Sequence, residues 1–306
     1  MTHISGLSTF SIVAHDPQAR EWGIAVESKF LAVGAVVPWA QAGVGAVATQ
    51  SYANTSFGPD GLALMAQGLS AQEALDQLIA GDEGRARRQV GLVDAQGRVA
   101  TFTGGECHAW AGGLTGTHYA AQGNILVSGA TVEAMAQTFE EARGELADRL
   151  VTALAAGQTA GGDRRGRQSA AVLVVRAGGG YSGFNDRYLD LRVDDDPEPI
   201  ERLKALVDLH HLFFKPPAPG EMVAIEGDLA REVQHILQLA GYYDGPITGE
   251  YDAPTRKALT NLIGNENFEE RFDEEKGLIS CQVMDVLRQK FASLFSPDDR
   301  PPWRDL

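Results

Sequence analysis

Strand-like runs arrive in this chain as adjacent pairs, and helix-like runs fall between them, also in pairs. "TFSIVAHD" and "EWGIAVESKFLAV" alternate apolar with small residues and are separated only by Pro17–Arg20, a hairpin signal. "GAVVPWAQAGVGAVATQ" continues in small and β-branched residues. Leu62, Met65, Leu69, Leu75 and Leu78 then keep helical spacing, interrupted at Gly68, and Ser70 with Glu73 forms a capping-box signature. "RQVGLVDAQGRVATFTG" is a second hairpin, turning at Asp94–Gly97. "AQGNILVSGATVEAMAQTFEEA" passes from strand to helix, "ELADRLVTALAAGQTAGG" is helical, and "QSAAVLVVRAGGGY" with "DRYLDLRVDDDP" is a last strand pair. The order ββ, αα, ββ, αα, ββ excludes a doubly wound parallel sheet, whose strands need a crossover after each one. It predicts an α+β fold of two sheets packed face to face with helices outside.

A chain of 306 residues has room for two domains. Asp194–Pro199 and a helix, "IERLKALVDLHHLFF", lead into the Pro-rich "KPPAPGE". The expected domains are therefore 1–214 and 221–306, joined by a linker at 215–220. The second is expected to be small and all-α.

A net charge of −15 argues against nucleic acid and against an anionic membrane surface as partners. The first residues, "MTHISGLSTF", lack the basic and apolar regions of a signal peptide, and no run reaches the length of a membrane-spanning helix. Cys107 and Cys281 are far apart, and no Cys/His spacing resembles a zinc site, so no metal or organic cofactor is expected and a cytoplasmic setting is the default.

The first strand opens on Ser8-Thr9. A threonine hydroxyl is a poor nucleophile until a base takes its proton. If Thr9 were the first residue, its own α-amine, with an ordinary pKa of about 8, would be that base. The requirement is removal of Met1–Ser8. On the next strand Glu27 and Lys29 are two residues apart, hence on one face, and are expected to pair and tune the nucleophile. Cys107 and His108 are adjacent, and on a strand would face opposite sides, which makes a poor dyad. The turn at Gly123-Asn124 offers an amide and a backbone N–H for an oxyanion. "GGDRRGRQSAA" sets Asp163, Arg164, Arg165 and Arg167 in one loop. Its arginines suit a carboxylate, and it lacks the spacing of a phosphate loop.

Together "TFSIVAHDP", "GIAVESKFLAVGAVVPWAQAGVGAVATQ", "GPDGLAL", "QVGLVDAQGRVATFTG", "QGNIL" and "GGDRRGRQSAA" resemble an uncharacterised Ntn-hydrolase-like family, domain of unknown function 1028, over about residues 9–210. The resemblance implies a four-layer αββα sandwich. More loosely, the chain is similar to the wider N-terminal-nucleophile superfamily. That implies Thr9 as nucleophile, Glu27, Ser28 and Lys29 as the polar series of the second strand, Asn124 at the oxyanion, and Asp163 with Ser169 in support. Ser11, Gln50, Asn54, Arg164 and Arg167 are expected on the substrate side. The separate lysine of proteasome subunits has no counterpart in "GAVVPWAQAG".

The segment "EGDLAREVQHILQLAGYYDGPITGEYDAPTRKALTNLIG" resembles a peptidoglycan-binding-type helical domain, with Leu229, Val233, Ile236, Leu237 and Leu239 as its apolar face. "YYDGPITG" supplies aromatics able to stack on sugar rings; an interaction or dimerisation module fits the same pattern. Three readings result. One is an amidohydrolase that cleaves a small-molecule amide through a threonyl ester, as a homo-oligomer with a dimer as first expectation. Another is an inactive sandwich with a glycan- or partner-binding module. The third makes Ser11 or Cys107 the nucleophile without processing.

Overall fold

The structure, a computed structural model, describes residues 9–292. The chain forms two compact units, Met1–Val207 and Asp208–Leu306. The first unit holds ten strands and most of the helical surface in chain order: β1 (Thr9–Asp16), β2 (Glu21–Ser28), β3 (Pro38–Gln41), β4 (Gly45–Ser51), α1 (Phe57–Ala66), α2 (Ala71–Ala80), β5 (Arg88–Asp94), β6 (Val99–Thr103), β7 (Gly112–Gly116), β8 (Tyr119–Asn124), α3 (Ala130–Glu141), α4 (Leu146–Thr159), β9 (Ser169–Val175) and β10 (Arg187–Val193). α5 (Pro199–Phe214) follows and contains the division between the units.

Six strands pair in the order β10-β9-β2-β1-β8-β7 and four in the order β3-β4-β5-β6, every ladder antiparallel. Alternation along β1 sorts its side chains. Phe10, Ile12 and Ala14 join the core under α3, α4 and the start of α5, while Val13 joins Ile24, Val26, Ala46, Ala48 and Val93 between the sheets. α1 and α2 pack their apolar face on Val47, Val90 and Leu92 of the four-stranded sheet. The Ser70–Glu73 capping box is present at the start of α2, and both expected hairpins form.

Three expectations change. The run after "EWGIAVES" leaves the sheet at Ser28 and turns through a 3₁₀ segment at Val33–Ala35, so Lys29 is not a strand residue. "GGLTG" forms β7 on the sheet edge, although three glycines give it no strand pattern; Cys107 and His108 lie in the loop before it. The second unit is not all-α. β11 (Met222–Ala224), α6 (Gly227–Leu239), α7 (Ala253–Glu266), β12 (Phe272–Asp273), β13 (Leu278–Ser280) and α8 (Cys281–Phe291) include a three-stranded sheet ordered β11-β13-β12. Strands of two or three residues are too short to show a period of two.

In that unit Ile236, Leu237, Leu259, Leu262, Val283 and Leu287 form the core. Buried Gln234 organises the "YYDGPITG" turn. Its Nε2 donates to Thr248 Oγ1, the Glu250 carbonyl and Thr255 Oγ1, and its Oε1 accepts from the Thr248 and Gly249 N–H groups. Tyr242 and Tyr243 are half-buried against the core rather than fully displayed. No helix among the described residues is long and apolar enough to cross a membrane.

Candidate active site

One end of the sandwich gathers the start of β1 and the ends of β2, β4 and β8. Register puts Thr9 opposite Asn124 on β8, and Thr9 Oγ1 lies 3.2 Å from Ser28 Oγ on β2. Ser28 in turn faces Ser169 on β9. Directly opposed residues of an antiparallel pair share a face. Asn124, Thr9, Ser28 and Ser169 thus form one polar row across four strands, on the face turned toward the second sheet.

Beneath that row the sheets are joined by buried amides. Ser11 Oγ donates to Gln50 Oε1 (2.6 Å) and accepts from Gln122 Nε2 (2.7 Å). Gln50 Nε2 donates to Gln89 Oε1 (2.8 Å) and reaches the Thr9 carbonyl at 3.4 Å. Gln89 Oε1 also accepts from Asn124 Nδ2 (2.9 Å), and its Nε2 donates to the Gly123 carbonyl (2.8 Å) and Thr103 Oγ1 (2.9 Å). All of these residues except Thr103 are fully buried, so each amide depends on the others for its hydrogen bonds. Gly91 on β5 makes room for the network: a Cβ there would stand 2.2 Å from Gln122 Oε1.

The chain leaves β8 through Ile125, whose φ of +53° is an outlier for a β-branched residue. Its N–H donates to the His108 carbonyl (2.9 Å), and its carbonyl accepts from the Arg164 N–H (3.1 Å). The 104–111 and 161–168 loops are thereby held on either side of Asn124. His108 Nε2 meets Tyr52 Oη at 3.2 Å, at the end of β4.

The expected site residues separate into groups. Thr9, Ser11, Gln50 and Asn124 come together. Glu27 and Lys29 do not pair: Lys29 is exposed, and its Nζ donates to the Arg167 carbonyl (3.1 Å). Glu27 opposes Phe10 and Ala170 on the helix side of the sheet, one face away from Thr9. Neither of its carboxylate oxygens has a hydrogen-bond partner at normal distance. Burial pushes its pKa well above the ordinary range and nearby Asp163 adds to this, while Arg167, Arg165 and the Gln168 N–H only partly oppose it.

Asp163 and Ser169 shape the turn after Ser28 and do not touch Thr9. Asp163 accepts from the Lys29 N–H (2.8 Å), and Ser169 accepts from the Val33 N–H (3.0 Å) and donates to the Phe30 carbonyl. Asn54 lies in the turn that opens α1, accepting from the Ser56 N–H and hydroxyl and hydrogen-bonding Asp82. Arg167 pairs with Glu198. Cys107 Sγ donates to the Arg88 carbonyl (3.3 Å), and burial pushes its thiol pKa up, which disfavours the thiolate. Met1–Ser8, whose removal the threonine chemistry requires, lies outside the described residues.

Sequence reasoning missed Gln89 and Gln122. Each is a buried polar residue in a strand, Gln89 just before the apolar run Val90–Val93 and Gln122 just after Ala120–Ala121, and that placement was the available signal.

Residues 9–203 match the family described as "Family of unknown function (DUF1028)". The chain belongs to this family. The DUF1028 match opens on Thr9 itself and closes within α5. Residues 212–287 match the family described as "Putative peptidoglycan binding domain". A crystal structure of protein SPO2555 from Silicibacter pomeroyi, described as a DUF1028 family member, is similar to this chain. It has 32% identity and a TM-score of 0.62, and the match covers 68% of this chain and 88% of that one. No curated protein matches.

Proposed function

We propose that the DUF1028 domain is an amidohydrolase of the N-terminal-nucleophile type, with Thr9 as its nucleophile once Met1–Ser8 has been removed. The observation that carries this reading is the polar row itself. A hydroxyl residue heads a central strand, 3.2 Å from the Ser28 hydroxyl and cross-strand from an asparagine amide. Hydroxyl and amide side chains concentrated at one end of an otherwise apolar inter-sheet layer need a reason, because each must be hydrogen-bonded to be tolerated there.

In this scheme Thr9 Oγ attacks the carbonyl carbon of an amide, and its proton passes to the Thr9 α-amine. The C–N bond breaks, the amine leaves with that proton, and the acyl group remains as a threonyl ester. Water then adds to the ester, returns a proton to Thr9 Oγ and releases the carboxylic acid. Asn124 holds the developing oxyanion. Asp163 and Ser169 act through the turn that presents Ser28 and are positioning residues. The arrangement needs no metal or organic cofactor. The second unit is read as a binding module for glycan or a protein partner.

Labelling with a β-lactone electrophile, mapped by peptide mass spectrometry, tests the nucleophile. The adduct is expected on Thr9 and absent in Thr9→Ala. An adduct on Cys107, or none, contradicts the reading and favours a binding protein.

A further inference from the structure

We propose that Arg164 is the anion anchor of this site, so that the amide it accepts carries a free carboxylate. The proposal deepens the hydrolase reading and rests on it for the chemistry, though not for the binding.

Three arginines share the loop "GGDRRGRQ", and their partners differ. Arg165 pairs with Asp163 at 3.2 Å, and Arg167 with Glu198. Arg164 is exposed, and among the described residues its guanidinium meets the neutral carbonyl of Ala109, at 3.1 Å. Among the described residues it has no carboxylate partner, in a chain of net charge −15 where acids are plentiful. A guanidinium with no carboxylate among the described residues, held by the Ala109 carbonyl, is suited to a ligand's negative charge.

Its backbone is fixed beside the reacting row. The Arg164 N–H donates to Ile125, the residue after Asn124, and neighbouring Asp163 bridges to Leu126. Asn124 stands opposite Thr9. The Ala109 carbonyl that holds the guanidinium belongs to the loop whose His108 clasps Ile125 from the other side. With one N–H used on Ala109, the planar fork keeps donors for a two-point grip on a carboxylate. His108 Nε2 and Tyr52 Oη, 3.2 Å apart, add hydrogen-bonding groups from the same loop and the end of β4.

The substrate class is then an N-acyl amino acid or a close analogue. Arg164 holds the carboxylate, Thr9 takes the acyl group, and water completes the hydrolysis to a carboxylic acid and a free amino acid.

The test uses the purified full chain and its Arg164→Gln and Arg164→Lys variants. N-acetylglycine, N-acetylleucine and N-acetylglutamine, each beside its C-terminal amide, are titrated calorimetrically and assayed for hydrolysis. At least one acid is expected to bind ten-fold or more tightly than its amide. Arg164→Gln should erase that preference, and Arg164→Lys should keep part of it, because charge survives while the fork is lost. Should Arg164→Gln fail to fold, Arg164→Lys decides alone, with a several-fold loss confined to the acids. Equal binding of acids and amides by the wild type, or a preference that survives in Arg164→Gln, overturns the proposal. An anion preference without hydrolysis sinks only the Thr9 chemistry.

Discussion

Thr9 and Glu27 stand one residue out of register on neighbouring strands and face opposite sides of the six-stranded sheet. Thr9 meets Ser28, whereas Glu27 is paired with Phe10 over the helix-side core. The Glu27 carboxyl is therefore separated from Thr9 by the sheet, and its effects fall on stability.

Glu27→Gln is expected to stabilise the fold at neutral pH. The Glu27 carboxyl has a raised pKa in the folded state, so folding favours its protonated form. Its stabilising contribution is complete below the unfolded-state pKa of about 4.3 and is lost as pH rises through the folded value. The glutamine cannot ionise, so the gain over wild type should grow with pH, reaching about 1–3 kcal/mol, the cost of a buried unsatisfied polar group. Urea unfolding at pH 4 and pH 8 measures it. An equal difference at both pH values contradicts the burial of a charge-disfavoured carboxyl.

Gln89→Leu should destabilise by about 2–4 kcal/mol. It removes the hydrogen bonds that Gln89 makes with Asn124 Nδ2, Gln50 Nε2 and the Gly123 carbonyl between the sheets, and a buried polar group that loses its partner costs about 1–3 kcal/mol before relaxation. Chemical denaturation gives the number. A loss under 0.5 kcal/mol, the scale of ordinary surface substitutions, would mean that the amide network is not structurally required.

How much of this was legible in the sequence depends on range. Hairpins, the Ser70 cap and the helix breaks rest on neighbours within a few residues, and they were readable. The face that Lys29 takes was not, because the strand ends at Ser28 through bonds from Asp163 and Ser169, more than a hundred residues away. Gln89 meets Asn124 and the Gly123 carbonyl only when the two sheets stack, a contact no local pattern encodes. Thr9, Ser11, Gln50 and Asn124, which the structure brings together, stood out in the sequence because each lies near a strand end or a turn. Asn54 shares that setting, and its side-chain oxygen accepts from the Ser56 N–H and hydroxyl in the turn that opens α1.

Gly91→Ala should cost about 1–3 kcal/mol, the usual penalty of overpacking. The new methyl would displace the Gln122 amide and with it the hydrogen bond to Ser11. Combined with Gln122→Ala, which clears the space, the glycine substitution should add little further loss. Additive effects in that double-mutant cycle would contradict the contact.

Ser169→Ala should lower activity more than stability. It releases the Val33 N–H and Phe30 carbonyl, freeing the turn that fixes Ser28 beside Thr9. Stability should fall by about 1–2 kcal/mol, the scale of one or two buried hydrogen bonds. The β-lactone labelling rate at Thr9 is expected to drop ten-fold or more. An unchanged rate would detach Ser169 from the site.

The intact mass of freshly purified protein, read with N-terminal sequencing, tests the central claim most directly. The account predicts a chain that begins at Thr9, and a Thr9→Ala variant that keeps its leader. A stable wild-type chain that still begins before Thr9 would remove the α-amine from the mechanism and contradict the hydrolase reading.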